Sequence, residues 1–470
     1  MSDKKIPFII ALIPLVVLVV IQGAVIYTFG ADALEGASQV GLLLTSAVAV
    51  LVSVCFYKFE YSLFDAAIAK SIAGVATAIV MLMLIGSLSG VWMVSGVVPY
   101  LINAGLHIIS PAIFLPTACI LCAIISVVTG SSWTTIATIG IALIGVGRAN
   151  GFDDGWTAGA IISGAYFGDK MSPLSDTTVL ASSTVGTPLF EHIRYMTKTT
   201  VPSMTITVVI FIIASLLMPT TGASDINVYV DGINSTFNIS HWLLVVPVLT
   251  GFMIYKKLPA VPVMFFATLL GVIAALILQP EQLSTIGDGS IFKGAMQSVF
   301  GATNISTGNA ELDDLVSTGG IAGVMNTIWL IICAMVFGGV MTASGFLEVI
   351  MRKIVSSAKR TWTLVGATVS SGIILNAVTC DQYLAVILSG SIFKGKYEAM
   401  GHKPHLLSRS IEDGTTVTSV LVPWSTCGMT QATVLGVATM TYMPYCFFNY
   451  LSPLVSVLMS LRVKRIVDKK

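Results

Sequence analysis

Apolar stretches as long as a bilayer is thick recur along this chain. Segments with little or no charge run roughly over 7–29, 39–57, 71–94, 198–218, 241–255, 259–279, 321–344 and 442–461. About 20 apolar residues in a helix cross a hydrocarbon layer of ~30 Å, so these segments read as transmembrane helices. Two further apolar regions, 111–147 and 362–393, are interrupted midway by the polar clusters Thr129-Gly-Ser-Ser132 and Asn376-Ala-Val-Thr-Cys-Asp381. Two more, 156–190 and 410–436, are interrupted by Pro and Gly among polar residues. The pattern predicts an all-α integral membrane protein with about 10 transmembrane helices and broken helices besides. It leaves open whether 111–147 and 362–393 are re-entrant hairpins or tight pairs of spans.

Short stretches recur in order at a near-constant offset. Ile72-Ala-Gly-Val75 returns as Ile321-Ala-Gly-Val324, and Ser95-Gly96 as Ser344-Gly345. Val128-Thr-Gly-Ser-Ser-Trp133 aligns with Val378-Thr-Cys-Asp-Gln-Tyr383, and Pro173-Leu-Ser175 with Pro423-Trp-Ser425. This order indicates a duplication, dividing the chain into N-terminal scaffold spans (1–70), a first repeat (71–218), connecting spans with external loops (219–320), and a second repeat with the C-terminal span and basic tail (321–470).

Charge then sets orientation. With the N-terminus inside and the spans alternating, all but Arg148, Lys170 and Lys293 of the 24 Lys and Arg fall in inside loops or in the termini. Both termini are therefore expected in the cytoplasm and the loops 219–240 and 280–320 outside. The two copies then lie upside down relative to each other, an arrangement that places a ligand near the midplane where they meet. The composition, 55% hydrophobic and 10% charged, departs far from the ~25% charged residues of soluble domains. A net charge of +1 gives no reason to expect nucleic acid. The cysteines lie in apolar segments or the motifs between them, with Cys119 and Cys122 on one helix face as core packing.

The candidate chemistry concentrates in Gly168-Asp-Lys-Met-Ser-Pro-Leu-Ser-Asp-Thr-Thr178. An ionised side chain at mid-bilayer costs about 2.5–3.5 kcal/mol on insertion scales, so Asp169, Lys170 and Asp176 point to function. Gly168 and Pro173 break the helix there, freeing carbonyls beside the carboxylates. The break lets both carboxylates and the hydroxyls of Ser172, Ser175 and Thr177 converge on one point. Lys170 either neutralises a carboxylate while no cation is bound or snorkels to an interface. The counterpart in the second copy is Glu412, Asp413 and Thr416 with Ser425 and Thr426. Glu412 and Asp413 lie close to Arg409, where a surface ion pair is the alternative. At the tips of the interrupted regions, Thr129, Ser131, Asn376 and Asp381 offer oxygens suited to a small hard cation, unless the hydroxyls only satisfy the tip's own backbone. All five histidines fall in predicted loops or span ends and read as solvated, so no transition metal is expected. No phosphate-binding loop, dinucleotide fingerprint or nucleophile elbow is present, and neither a cofactor nor an enzymatic activity is expected.

The block Gly164-Ala-Tyr-Phe-Gly-Asp-Lys-Met-Ser-Pro-Leu-Ser-Asp-Thr-Thr178, with the later Glu412-Asp-Gly-Thr415, closely resembles the signature of the NhaC-type sodium/proton antiporter family. The resemblance runs from about Ile6 to the C-terminus. It implies a bacterial cytoplasmic-membrane carrier of Na+ and H+. By resemblance to the wider ion-transporter superfamily, two inverted repeats would each hold a hairpin and a broken helix, forming transport domains on scaffold spans, commonly as a homodimer. Asp169, Asp176 and Asp381 would bind sodium or protons in competition. Some relatives exchange malate for lactate, or amino acids. Such a carrier needs donors for a carboxylate, and no Arg lies within any predicted span.

Overall fold

The structure is a computed structural model that describes residues 6–218 and 223–463. The basic residues Lys4 and Lys5, and the tail from Lys464, lie outside the described residues. Helices α1 (Phe8–Phe29), α2 (Ala37–Tyr57) and α3 (Tyr61–Gly74) lead to α4 (Ala76–Val94) and α5 (Val97–Ile108). The first interrupted region forms α6 (Phe114–Thr129), the single turn α7 (Ser132–Thr135), a π-helical turn at 136–140 and α8 (Ile141–Ala149). The signature motif spans α9 (Asp154–Met171) and α10 (Asp176–Val185), followed by α11 (Leu189–Leu217). The connecting region holds α12 (Ala223–Thr236), α13 (Val245–Tyr255), α14 (Ala260–Leu278), α15 (Pro280–Ile286), α16 (Ile291–Phe300), α17 (Ala310–Val316) and α18 (Gly320–Gly323). The second copy comprises α19 (Met325–Ala343), α20 (Phe346–Ser357), α21 (Thr361–Thr379), α22 (Gln382–Ala399), α23 (Pro404–Ile411), a π-helical turn at 412–416, α24 (Thr426–Leu435), α25 (Thr439–Tyr442) and α26 (Phe447–Ser460).

The fold is all-helical. Among the described residues, 9 helices are long and apolar enough to cross a membrane, or 10 if 226–236 and 241–255, bent by 92°, form one span. The expected spans needed adjustment where hydropathy alone misplaces a boundary. The stretch 71–94 divides at Val75 into α3 and α4. The stretch 198–218 begins earlier, at Leu189, and carries Glu191, His192, Arg194 and Lys198 in its first turns. The last span starts only at Phe447, because a 3₁₀ turn containing Pro444 precedes it. The regions 219–240 and 280–320, expected to be loops, contain α12 and α15–α17, whose short polar helices carry no apolar run to announce them.

The sequence repeat has structural landmarks. The turns before α5 and α20 both use a left-handed glycine, Gly96 (φ 84°) and Gly345 (φ 71°). The tips after α6 and α21 both place one residue in the same region, Gly130 (φ 70°) and Cys380 (φ 56°). The next residue then caps the following helix: Ser131 Oγ accepts from Thr134 N at 3.2 Å and Asp381 Oδ1 from Leu384 N at 2.7 Å. The breaks before α10 and α24 are capped alike by Ser175 and Ser425. These caps satisfy N–H groups that have no partner inside their own helix, which lets a helix start inside the apolar body of the protein.

The motif glycines set how closely α6 and α9 approach. A Cβ on Gly164 would lie 2.0 Å from the Cys119 carbonyl oxygen, and one on Gly168 would lie 2.4 Å from Ser126 Cβ. Ser126 Oγ donates across this seam to Ala165 O at 2.6 Å. The seam fixes α9 against the first tip, and Asp169 stands in the last turn of the helix.

Candidate functional site

Pro173 has no amide hydrogen and cannot continue α9. The chain turns through Ser172–Ser175, and Ser172 Oγ accepts from Leu174 N at 3.2 Å within the turn. Thr178 Oγ1 returns from α10 to donate to the carbonyls of Asp169 (3.3 Å) and Lys170 (3.0 Å). The first tip lies directly on this break, so close that a Cβ on Gly130 would stand 2.7–2.9 Å from three atoms of Leu174.

Asp169 is where tip and break join. Its Oδ2 accepts from Ser132 Oγ (2.7 Å) and Ser132 N (3.2 Å), and its Oδ1 from Ser175 Oγ (2.5 Å). Ser175 Oγ also meets Thr177 Oγ1 at 2.9 Å. The carboxylate is buried with hydroxyl and amide partners, and none of these hydrogen-bond partners is a cation.

The second copy repeats the contact with different groups. At an offset of 250, Ser419 stands for Asp169 and Gln382 for Ser132; Ser419 Oγ donates to Gln382 Oε1 at 2.8 Å. Thr426 N donates to Cys380 O at 2.9 Å, tying the second tip to the second break. The first copy therefore carries its carboxylates at the break and the second carries its own, Asp381, at the tip.

Tips and breaks of both copies open on one cavity of about 640 Å³. It is lined by Asp169, Asp176, Thr177, Thr129 and Ser131 of the first copy, by Asp381, Gln382, Tyr383, Thr426 and Cys427 of the second, and by the α3–α4 and α13–α14 junctions with Lys257. Of the residues singled out in the sequence, Asp169, Asp176, Asp381, Thr129, Ser131, Thr177 and Thr426 thus share the cavity. The expectation that the carboxylates converge on one point needs refinement: Asp169 is buried, while Asp176, at the start of α10, is exposed to the cavity. Among the described residues no three His, Cys, Asp or Glu gather closely enough to hold a metal ion. The oxygens on this wall are hydroxyl, carbonyl and carboxylate, the donor types that suit hard cations.

The remaining candidates lie elsewhere. Ser425 caps α24, and Ser172 lies within its own turn. Asn376 donates to Thr415 O (2.7 Å) and Thr418 Oγ1 (3.2 Å), clamping α21 to the π-helical turn. Thr416 is buried there, its hydroxyl facing Glu412. Lys170 leaves α9 away from the cavity and pairs with Asp413, while also donating to Ser452 Oγ at 2.9 Å. It neutralises a carboxylate, but not one of the break. Glu412 and Asp413 are fully buried, which overturns the surface ion pair; the i,i+4 spacing to Arg409 places that guanidinium inside as well, 3.6 Å from Asp413 Oδ2. Arg409 is thus buried although it lies outside every predicted span. Its flanking Lys403 and Pro404 made the segment look like a loop, although its i,i+4 spacing to Asp413 is visible in the sequence. His192 and His402 are likewise buried rather than solvated, His192 Nδ1 lying 2.8 Å from Ser408 Oγ.

A polytopic helical protein whose two copies each bring a tip and a helix break to one carboxylate-lined cavity is built as a secondary carrier of cations. Comparison with known sequences makes the class specific. Residues 164–461 match the model of the Na+/H+ antiporter family, and the chain belongs to this family. It is 38% identical to the Na(+)/H(+) antiporter NhaC of Alkalihalophilus pseudofirmus, over 81% of this chain and 80% of that one. It is 36% identical to the Na(+)/H(+) antiporter NhaC of Bacillus subtilis, over 88% and 90% of the two chains. It is also 33% identical to the malate-2H(+)/Na(+)-lactate antiporter of Bacillus subtilis, over 88% and 87%.

Proposed function

We propose that the protein exchanges sodium for protons across the bacterial cytoplasmic membrane, with sodium entering the cavity and settling at Asp169 between the first tip and the first break. The observation that carries this reading is the charge of the cavity wall: Asp169, Asp176 and Asp381 face a single Lys257. Such a wall attracts a cation and repels an organic dianion. Asp176 and Asp381 gather the ion, and the hydroxyls of Ser132, Ser175 and Thr177 can turn their lone pairs from one another to the ion as it replaces hydrogen bonds at Asp169.

The second reading, sodium-coupled exchange of malate, lactate or an amino acid, is favoured by the 33% identical malate–lactate relative. The geometry ranks it second, because Lys170 and Arg409 lie with Asp413 on another face and do not line the cavity. In the same proposal 71–218 and 321–470 are inverted repeats moving against the 1–70 scaffold, both termini are cytoplasmic, and two copies associate in the membrane.

Everted vesicles test the reading. Added sodium should cause a pH change that malate, lactate and arginine leave unaltered. The apparent sodium affinity should weaken as pH falls, because proton binding and sodium binding oppose each other. Asp169→Asn should abolish the response with expression retained, since removing a charge from an apolar site does not endanger the fold. A response requiring malate or an amino acid would establish the second reading instead.

A further inference from the structure

Glu412 lies on the π-helical turn after α23, fully buried and absent from the cavity wall. Neither carboxyl oxygen makes a hydrogen bond of good geometry, and the polar group facing it is the Thr416 hydroxyl one turn on. A π-helical turn places one residue more than an α-helical turn would and is frequent at functional sites. A buried carboxyl without a donor is costly when charged unless nearby charge compensates it.

The compensating charge is present. Asp413 is held by Lys170, by Arg409 at 3.6 Å, and by the hydroxyls of Thr199 (3.2 Å) and Ser452 (2.7 Å). The groups whose fields reach Glu412 are Lys170 and Asp169 of α9 and its neighbour Asp413, with Arg409 and His192 of α11 joined to them through Asp413. Of the other elements packed on this turn, α21 has no titratable residue, Asp176 of α10 and Asp381 ahead of α22 open on the cavity, Tyr397 of α22 is bound to Thr368 at 3.0 Å, and Tyr450 of α26 is exposed.

Counting formal charges gives the coupling. Asp169 and Asp413 are balanced by Lys170 and Arg409, so the group is neutral when Glu412 holds a proton. Sodium at Asp169 adds one positive charge, and loss of one proton from Glu412 restores neutrality. Asp169 and Lys170 are consecutive on α9 and leave it about 100° apart, so the two events occur on different faces of one helix turn. Each is the stronger for the other, since a negative charge on Asp169 favours the proton on Glu412 and sodium removes that charge.

We propose that Glu412 carries the exchanged proton, releasing it to water as sodium binds beside Asp169 and recovering it when sodium leaves. The inference rests on the sodium/proton exchange reading and assigns the proton a site separate from the ion.

The test uses the full chain in proteoliposomes, with sodium–sodium counterflow and sodium-driven pH change measured side by side. In Glu412→Gln, protons moved per sodium should fall more than about tenfold, as expected when a coupling free energy of this kind is lost, while labelled sodium still exchanges. Glu412→Asp keeps a titratable group and should move protons with a displaced pH profile. Wild-type coupling in Glu412→Gln, or loss of both fluxes in a variant with an unchanged melting temperature, overturns the inference. If Glu412→Gln does not fold, Glu412→Asp decides, and an unchanged pH profile there overturns it. A wild type that exchanges sodium without moving protons removes the antiport reading itself, an outcome distinct from these.

Discussion

Lys170 shows how a single rotation about a helix axis changes a residue's role. One position after Asp169, it leaves the helix toward Asp413 and Ser452 rather than toward the break, with both ionic partners fully buried. It therefore acts on the cavity only through the field, and its first duty is to the fold. Removing one member of a buried ion pair costs about 3–5 kcal/mol when the other charge is left uncompensated, and less here because Arg409 still faces Asp413. Lys170→Met should lower the melting temperature in detergent. An unaltered melting temperature in this variant would show that Lys170 does not stabilise the fold. Asp176 presents the opposite case: exposed at the start of α10, it can be changed to Asn with little effect on stability.

The tips and breaks decide what the elements can do. Gly130 and Cys380 occupy equivalent left-handed positions, but only the first is a glycine. A non-glycine residue there costs roughly 1–2 kcal/mol in backbone strain, but Cys380 is buried in the core, so Cys380→Gly should lower the melting temperature through lost packing. Gly130→Ala should also lower it and reduce sodium exchange, because its Cβ would press on Leu174 at 2.7 Å and move the tip that carries Ser132. Melting curves and sodium uptake on the two variants check both. If Gly130→Ala is neutral in both measurements, tip and break are not rigidly joined. The same seam accounts for the glycines of the signature: Gly164 and Gly168 admit the α6 backbone, and without that approach Asp169 would not reach Ser132.

At the scale of the whole molecule, the proposed orientation predicts that Asp288→Cys reacts with an impermeant reagent from outside and Lys353→Cys only from the cytoplasm; both positions are exposed. Labelling from the opposite sides would invert the topology. Much of this architecture was legible in sequence, since bilayer thickness imposes apolar lengths that survive in one dimension, and duplication leaves short matching stretches at a near-constant offset. That Asp169 and Asp176 mark a break within the apolar body was legible too, because charges beside Pro173 in an apolar stretch are costly and stand out. The amphipathic α5 and α20 were not, since 12-residue helices with one apolar face blend into the flanks of longer spans. Nor was the burial of Arg409 and His192, whose local surroundings resemble a loop until α23 and α11 pack on each other. The sequence by itself determined where most of the long apolar spans lie, that the signature segment is broken and which family the chain belongs to, because these depend on local composition and backbone chemistry. Only the tertiary structure decided which side chain meets which: that Asp169 joins Ser132, that Lys170 turns to Asp413, and that Glu412 is fully buried facing the Thr416 hydroxyl. Those outcomes depend on helix rotation and on contacts between residues far apart in the chain, and no local pattern encodes them.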